Sequence, residues 1–183
     1  KYSQKKGNII GICGGLQMLG KTLEDPFLKE GSKNFSERKI KGLGLLPIKT
    51  TFFEKKLTRQ ISSESLWPCQ SKIKGFEIHN GQTELDRTQN LLNIKPIFKD
   101  LNLGWYIENN KCGIIAGTYI HGIFENDDWR DQYINLIRNS FWLLSNSVRP
   151  LCISKPLIFD WHGHKDSELI WRVNFFSKKV VFN

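Results

Sequence analysis

Cys13 stands where a short apolar run, Asn8-Ile9-Ile10-Gly11-Ile12, meets Gly14-Gly15 and then Leu16-Gln17-Met18-Leu19-Gly20-Lys21-Thr22-Leu23. The β-branched run suits a strand buried on both faces, and Leu16, Leu19 and Leu23 recur at helical spacing. A cysteine at such a strand–turn–helix has the arrangement of a nucleophile elbow. The turn lifts the sulfur off the sheet edge, and the glycines remove Cβ atoms that would clash. N–H groups at the helix start favour thiolate over thiol and can hold an oxyanion. Glycine-rich turns of this type also bind phosphate or simply pack. The phosphate reading is weakened because no Gly-Lys-Ser or Gly-Lys-Thr follows at the required offset.

A cysteine nucleophile needs a base, and the histidines are His79, His121, His162 and His164. His121 follows the apolar run 114–120 and precedes Gly122, which places it at a strand end, where α/β folds carry catalytic groups. A structural histidine in that position is the plainer alternative. His162-Gly163-His164 offers two metal ligands without a third, so no metal site is predicted. Cys13, Cys69, Cys112 and Cys152 are widely spaced with no Cys-x-x-Cys, which excludes a zinc knuckle and a thioredoxin-type pair. All are read as reduced thiols of a cytoplasmic protein.

The elements that must position these groups follow from periodicity and turn chemistry. Residues 8–12 are predicted as a strand and 16–23 as a helix stopped at Asp25-Pro26. Residues 27–42 read as a polar, basic loop, and 43–52 as a strand entered through a turn. Residues 66–83 read as loop and strand around Gly75-Phe76-Glu77-Ile78-His79-Asn80-Gly81. A hairpin is predicted from 105–107 and 114–120, turned at Asn109-Asn110-Lys111. Residues 129–144 form the strongest helix candidate, with Asn126, Asp127 or Asp128 as N-cap and Ile134, Ile137 and Phe141 on one face. Residues 147–183 mix prolines, aromatics and charges without a period, and no element is assigned there.

At 183 residues and 21.3 kDa, with 39% hydrophobic, 25% charged and 12% aromatic residues, the chain is expected to be globular rather than disordered. No apolar run reaches the ~18 residues that would span a bilayer, and no signal-peptide cleavage site follows the N-terminal lysines. The net charge of +9 admits nucleic acid or an anionic surface as partner. The positive residues are nevertheless scattered, so a generally basic surface is the reading, with no nucleic-acid and no membrane partner.

The stretch Gly11-Ile12-Cys13-Gly14-Gly15-Leu16-Gln17-Met18-Leu19-Gly20 resembles the nucleophile motif of class I, triad-type glutamine amidotransferases, in the form of the cobyric acid synthase branch. Four further blocks follow in the family's order: Glu24-Asp25-Pro26, Gly42-Leu43-Gly44-Leu45-Leu46-Pro47, Gly75-Phe76-Glu77-Ile78-His79-Asn80-Gly81, and Gly117-Thr118-Tyr119-Ile120-His121-Gly122-Ile123-Phe124-Glu125-Asn126. The resemblance covers roughly residues 8–140. It implies an α/β, flavodoxin-like sheet flanked by helices, with 1–146 a partial amidotransferase domain and 147–183 a C-terminal segment of unassigned fold. It implies that Cys13 attacks the amide of glutamine and that His121 is the acid/base. Gly14 N–H would be an oxyanion donor, and Gly15, Gln17, Glu77 and His79 would shape the glutamine site. Ammonia would pass to a synthetase domain that amidates corrin carboxylates with ATP and Mg²⁺ in cobalamin biosynthesis; no cofactor is expected in this portion.

Two departures accompany the resemblance. Many class I members carry a glutamate two residues after the histidine, and here that position is Ile123, as in the cobalamin branch. Glu77, His79 or Glu125 are the candidates to orient His121 or the substrate instead. Residues 1–12 are also too few for the family's first strands, including the loop that gives a second oxyanion donor. The expectation is of an N-terminally truncated domain without its synthetase. Rival readings are an inactive remnant of such a domain, or the glutaminase of a related enzyme that amidates another corrin carboxylate or a cell-wall lipid.

Overall fold

The computed structural model describes residues 7–27, 38–88, 93–109, 113–145, 157–160, 172–175 and 178–181. In chain order its elements are β1 (Ile9–Ile12), α1 (Gly14–Leu19), β2 (Thr22–Glu24), β3 (Lys39–Lys41), β4 (Ile48–Ser65) and β5 (Ser71–Leu85). There follow β6 (Ile94–Pro96), β7 (Gly104–Asn109), β8 (Gly113–Thr118), β9 (Ile120–His121), a 3-10 turn (Ile123–Glu125) and α2 (Asp127–Ser145). Three strands lie beyond α2: β10 (Leu157–Asp160), β11 (Arg172–Phe175) and β12 (Lys178–Val181).

These strands form two sheets. The first has the order β12-β11-β10-β1-β8-β7-β6, and the second β3-β2-β4-β5-β9. The β1 strand pairs in parallel with β8 on one side and β10 on the other, so it is interior to its sheet. All four of its residues are buried, as the β-branched run predicts. Its side chains alternate between two cores. Ile10 and Ile12 join Ile73, Ile97, Phe98, Ala116 and Trp129, whereas Ile9 joins Leu16, Leu19, Ile48 and Ile115. Between them, Gly11 leaves room for α1: a Cβ there would lie 2.5 Å from the Gly15 carbonyl. Sheets and helices with a parallel component make this an α/β chain, as expected.

Several local expectations are corrected. The α1 helix ends at Leu19 rather than Leu23, and Leu23 lies on β2. The cause is a tertiary contact. N–H groups of Leu43, Gly44 and Leu45 take the carbonyls of Met18, Gly20 and Leu19 at 2.8, 2.8 and 2.9 Å, which ends the ladder from outside. Residues 39–41, read as loop, are β3. Residues 43–47 form the turn, and the strand after it starts at Ile48 and continues to Ser65. The 105–120 hairpin is present, with Asn109 opposite Gly113. In α2 the buried face is Trp129, Tyr133 and Ile137, an i, i+4, i+8 stripe, and Ile134 is only partly buried. The Phe141 side chain lies outside the description.

Asn126 is the N-cap by backbone, since its carbonyl accepts the Arg130 N–H at 2.9 Å. Its side chain instead grips β5: Oδ1 accepts the Lys74 N–H at 2.9 Å, and Nδ2 donates to the Lys74 carbonyl at 3.0 Å. Among the described residues no helix is long and apolar enough to cross a membrane.

Candidate active site

Cys13 follows the last residue of β1 and precedes α1 with φ of 54° and ψ of −112°. A positive φ is uncommon for a residue with a Cβ, and it makes this turn a strained elbow. Two main-chain bonds hold it: Cys13 N–H donates to Thr118 O at 2.8 Å, and Gln17 N–H donates to Cys13 O at 3.2 Å. The second is the first intrahelical bond of α1, so the N–H groups of Gly14, Gly15 and Leu16 lie ahead of the ladder. The helix is only six residues long. Any stabilisation of sulfur charge here therefore comes from those N–H groups rather than from an extended dipole. The thiol is buried and donates to the Ile78 carbonyl at 3.2 Å.

His121 ends β9, which pairs antiparallel with β5 through Phe76↔His121 and Glu77↔Ile120. Gly75 permits that approach, because a Cβ there would strike the His121 carbonyl and the Ile120 side chain. Positions 13 and 121 thus share two supports. Both lie within a few residues of Thr118, where β8 ends beside β1, and both border residues 76–78 of β5. The Nε2 atom of His121 is buried and has no hydrogen-bond partner among the described residues. None of the candidate acids bonds to it. Glu125 is exposed on the 3-10 turn, and Glu77 is engaged elsewhere. Ile123, the position where a glutamate would sit, is fully buried.

Glu77 and His79 share the other face of β5. Glu77 is buried; its Oε2 accepts Arg59 Nε at 2.6 Å, and its Oε1 lies 2.8 Å from His79 Nε2. Arg59 also reaches Asp100 at 3.8 Å. His79 Nδ1 contacts the Gly81 carbonyl, and its ring stacks on Tyr119 with centroids 3.7 Å apart. Gln17 is buried on α1 and its Nε2 donates to Tyr119 Oη at 3.2 Å.

Tyr119 is the residue that motif reading passes over. Its hydroxyl meets Gln17, Thr83 and the Gly81 carbonyl, and Thr83 continues to Thr50 at 2.7 Å. Burial pushes its phenol up to about 12; the nearby Cys13 adds to the rise while the hydroxyl's hydrogen bonds oppose it. Nothing in the local sequence marks it, since those partners lie 36 and 102 residues away. The described residues hold no group of three or more His, Cys, Asp or Glu that could bind a metal. His162, His164, Cys112 and Cys152 lie outside them.

The chain is similar to proteins named cobyric acid synthase from Prochlorococcus marinus. It is 83% identical to that of strain MIT 9312 over 138 residues, 75% of this chain and 27% of the relative. It is 79% identical to that of strain AS9601 over 140 residues, 76% of this chain and 28% of the relative. The counterpart in strain CCMP1986 (MED4) is 72% identical over 161 residues, 87% of this chain and 32% of the relative. The chain thus spans about a third or less of the length of these relatives. Residues 1–129, which carry both Cys13 and His121, match the CobB/CobQ-like glutamine amidotransferase domain, and the chain belongs to that family.

Proposed function

We propose that this chain is the glutaminase portion of a cobyric acid synthase-type enzyme, with Cys13 as nucleophile and His121 as acid/base. The observation that carries the reading is the strained cysteine elbow between β1 and α1, flanked on the same stretch of β5 by a histidine whose buried Nε2 has no partner among the described residues. An unbonded buried nitrogen is costly unless a ligand or a proton transfer uses it.

The chemistry follows the acyl-transfer pattern. The thiol leaves the Ile78 carbonyl and its proton passes to His121. Sulfur then bonds to the side-chain carbonyl carbon of glutamine. The tetrahedral oxyanion that forms is held by the Gly14 N–H ahead of the α1 ladder. His121 returns the proton to nitrogen, the C–N bond breaks, and ammonia leaves a γ-glutamyl thioester. Water then attacks the thioester while His121 takes its proton, and glutamate departs as the thiol is restored. Gly15 and Gln17 shape the pocket from α1, whereas Glu77 and His79, held by Arg59, Gly81 and Tyr119 on the other face of β5, act on it through the packing of that strand.

Ammonia would serve a synthetase portion that activates corrin carboxylates with ATP and Mg²⁺. The described residues offer no such metal cluster, and none of the steps above runs through either. In this reading β10-β1-β8 is the parallel part of a flavodoxin-like sheet, 1–146 is the amidotransferase portion, β10–β12 of the C-terminal segment 147–183 extend that same sheet beside β1, and the protein works in the cytoplasm.

The test is Cys13→Ala in the full-length protein, assayed with glutamine and, separately, with an ammonium salt. Glutamine-dependent amidation is expected to fall at least about a thousandfold while ammonia-dependent amidation is retained. Equal glutamine-dependent rates before and after the replacement would overturn the assignment.

A further inference from the structure

We infer that Tyr119 is a positioning residue that fixes the nucleophile turn relative to the base strand, a role that rests on the assignment of Cys13 and His121 above. The chain leaves the first sheet at Thr118, the end of β8, and joins the second at Ile120, so Tyr119 is the single residue between them. Its neighbours on either side are the supports of the two reacting groups. Thr118 O holds the Cys13 N–H at 2.8 Å, and Ile120–His121 is β9.

The phenol adds a cross-link that the main chain does not provide. Thr50 on β4, Thr83 on β5, Tyr119 and Gln17 on α1 form one continuous chain of hydrogen bonds, with all four side chains buried. A buried polar chain specifies one arrangement, because every displaced arrangement leaves a donor or acceptor unmet. The His79 ring, itself held by Glu77 and the Gly81 carbonyl, backs the phenol ring and restricts its tilt. Tyr119 therefore acts through geometry. A shift of α1 against β9 would change the spacing of sulfur and imidazole, and misplacements of about 1 Å can cost on the order of a hundredfold in rate.

The test is Tyr119→Phe, which keeps the ring and its stack on His79 and removes only the hydroxyl. The readouts are kcat and KM for glutamine hydrolysis in the full-length protein, and iodoacetamide labelling of the Cys13 peptide followed by mass spectrometry across pH. The expected result is a kcat lowered about tenfold or more with KM within about twofold, and an altered labelling profile. Thr83→Val, which removes the next link of the chain and has no assigned substrate contact, should give a similar loss, and the double variant should lose no more than the worse single one. Wild-type kcat and labelling in Tyr119→Phe, or losses that multiply independently, would overturn the inference. Should Tyr119→Phe not fold, Thr83→Val removes a single link of the same chain, and unchanged kcat there counts against it. A wild-type protein that releases no glutamate would overturn the glutaminase reading alone. The labelling arm then decides the positioning role, and an unchanged profile rejects it.

Discussion

In the proposed mechanism, the hydrogen bond from the Cys13 thiol to the Ile78 carbonyl is the resting state from which attack would begin. A carbonyl oxygen only accepts, so the sulfur is protonated while that bond is made. Moving that proton to His121, as proposed, would require the sulfur to turn away from Ile78, leaving the Gly14 N–H as the assigned oxyanion donor. Tyr119 supplies a measurable consequence on the same scale. Its phenol is raised from its ordinary 10.0 to about 12 chiefly by burial. Below pH 10 it is neutral in both the folded and the unfolded chain, so its contribution is fully present. Between pH 10 and about 12 only the unfolded chain ionises, and stability is lost as pH rises. The loss should reach on the order of 2–3 kcal/mol and level off above that window. Chemical denaturation across this range should show the decline in the wild type and a shallower one in Tyr119→Phe; identical slopes would contradict the burial argument.

Among the elements, β9 is short and depends on its partner. Its approach to β5 is set by Gly75, where an added methyl group would meet the His121 carbonyl. Gly75→Ala is expected to cost about 1–3 kcal/mol of stability from overpacking. With His121 assigned as the base, it should also lower glutamine hydrolysis further than the unfolded fraction explains, because His121 is on β9. Urea denaturation and kcat measured on the same sample separate the two effects. The same scale shows what could be read beforehand. The β1 strand was legible because Ile9, Ile10 and Ile12 are β-branched and every position is buried, and the turn at Cys13 was legible because glycines follow it. The end of α1 was not, since Leu16, Leu19 and Leu23 keep helical spacing while the carbonyls that would continue the helix are taken by residues 43–45. The Tyr119 chain was hidden for a similar reason: it joins four elements whose contact exists only once both sheets have formed.

At the scale of the whole molecule, two sheets meet through β1, α1 and the Thr118–Tyr119–Ile120 crossover. The β4–β5 hairpin is less protected. Among the described residues only Lys49–Thr51 of β4 pairs with β2, and from Phe53 to Gln60 the strand is exposed, with a register shift between Phe52 and Leu57. Exposed Phe53 and Leu57 on such a strand would favour self-association. Phe53→Lys with Leu57→Thr should reduce concentration-dependent light scattering and leave stability within about 0.5 kcal/mol; unchanged scattering would place the association elsewhere. The turn that closes α1 reaches in the opposite direction. Leu43 stands exposed on it while its own N–H grips the Met18 carbonyl. A loop with no chemistry of its own is thereby leashed to the helix that bears the sulfur. An insertion, a crowding neighbour or a docking protein that tugs on residues 43–46 would pull on the end of α1, and under the proposed mechanism that would shift the sulfur without altering any group assigned to glutamine.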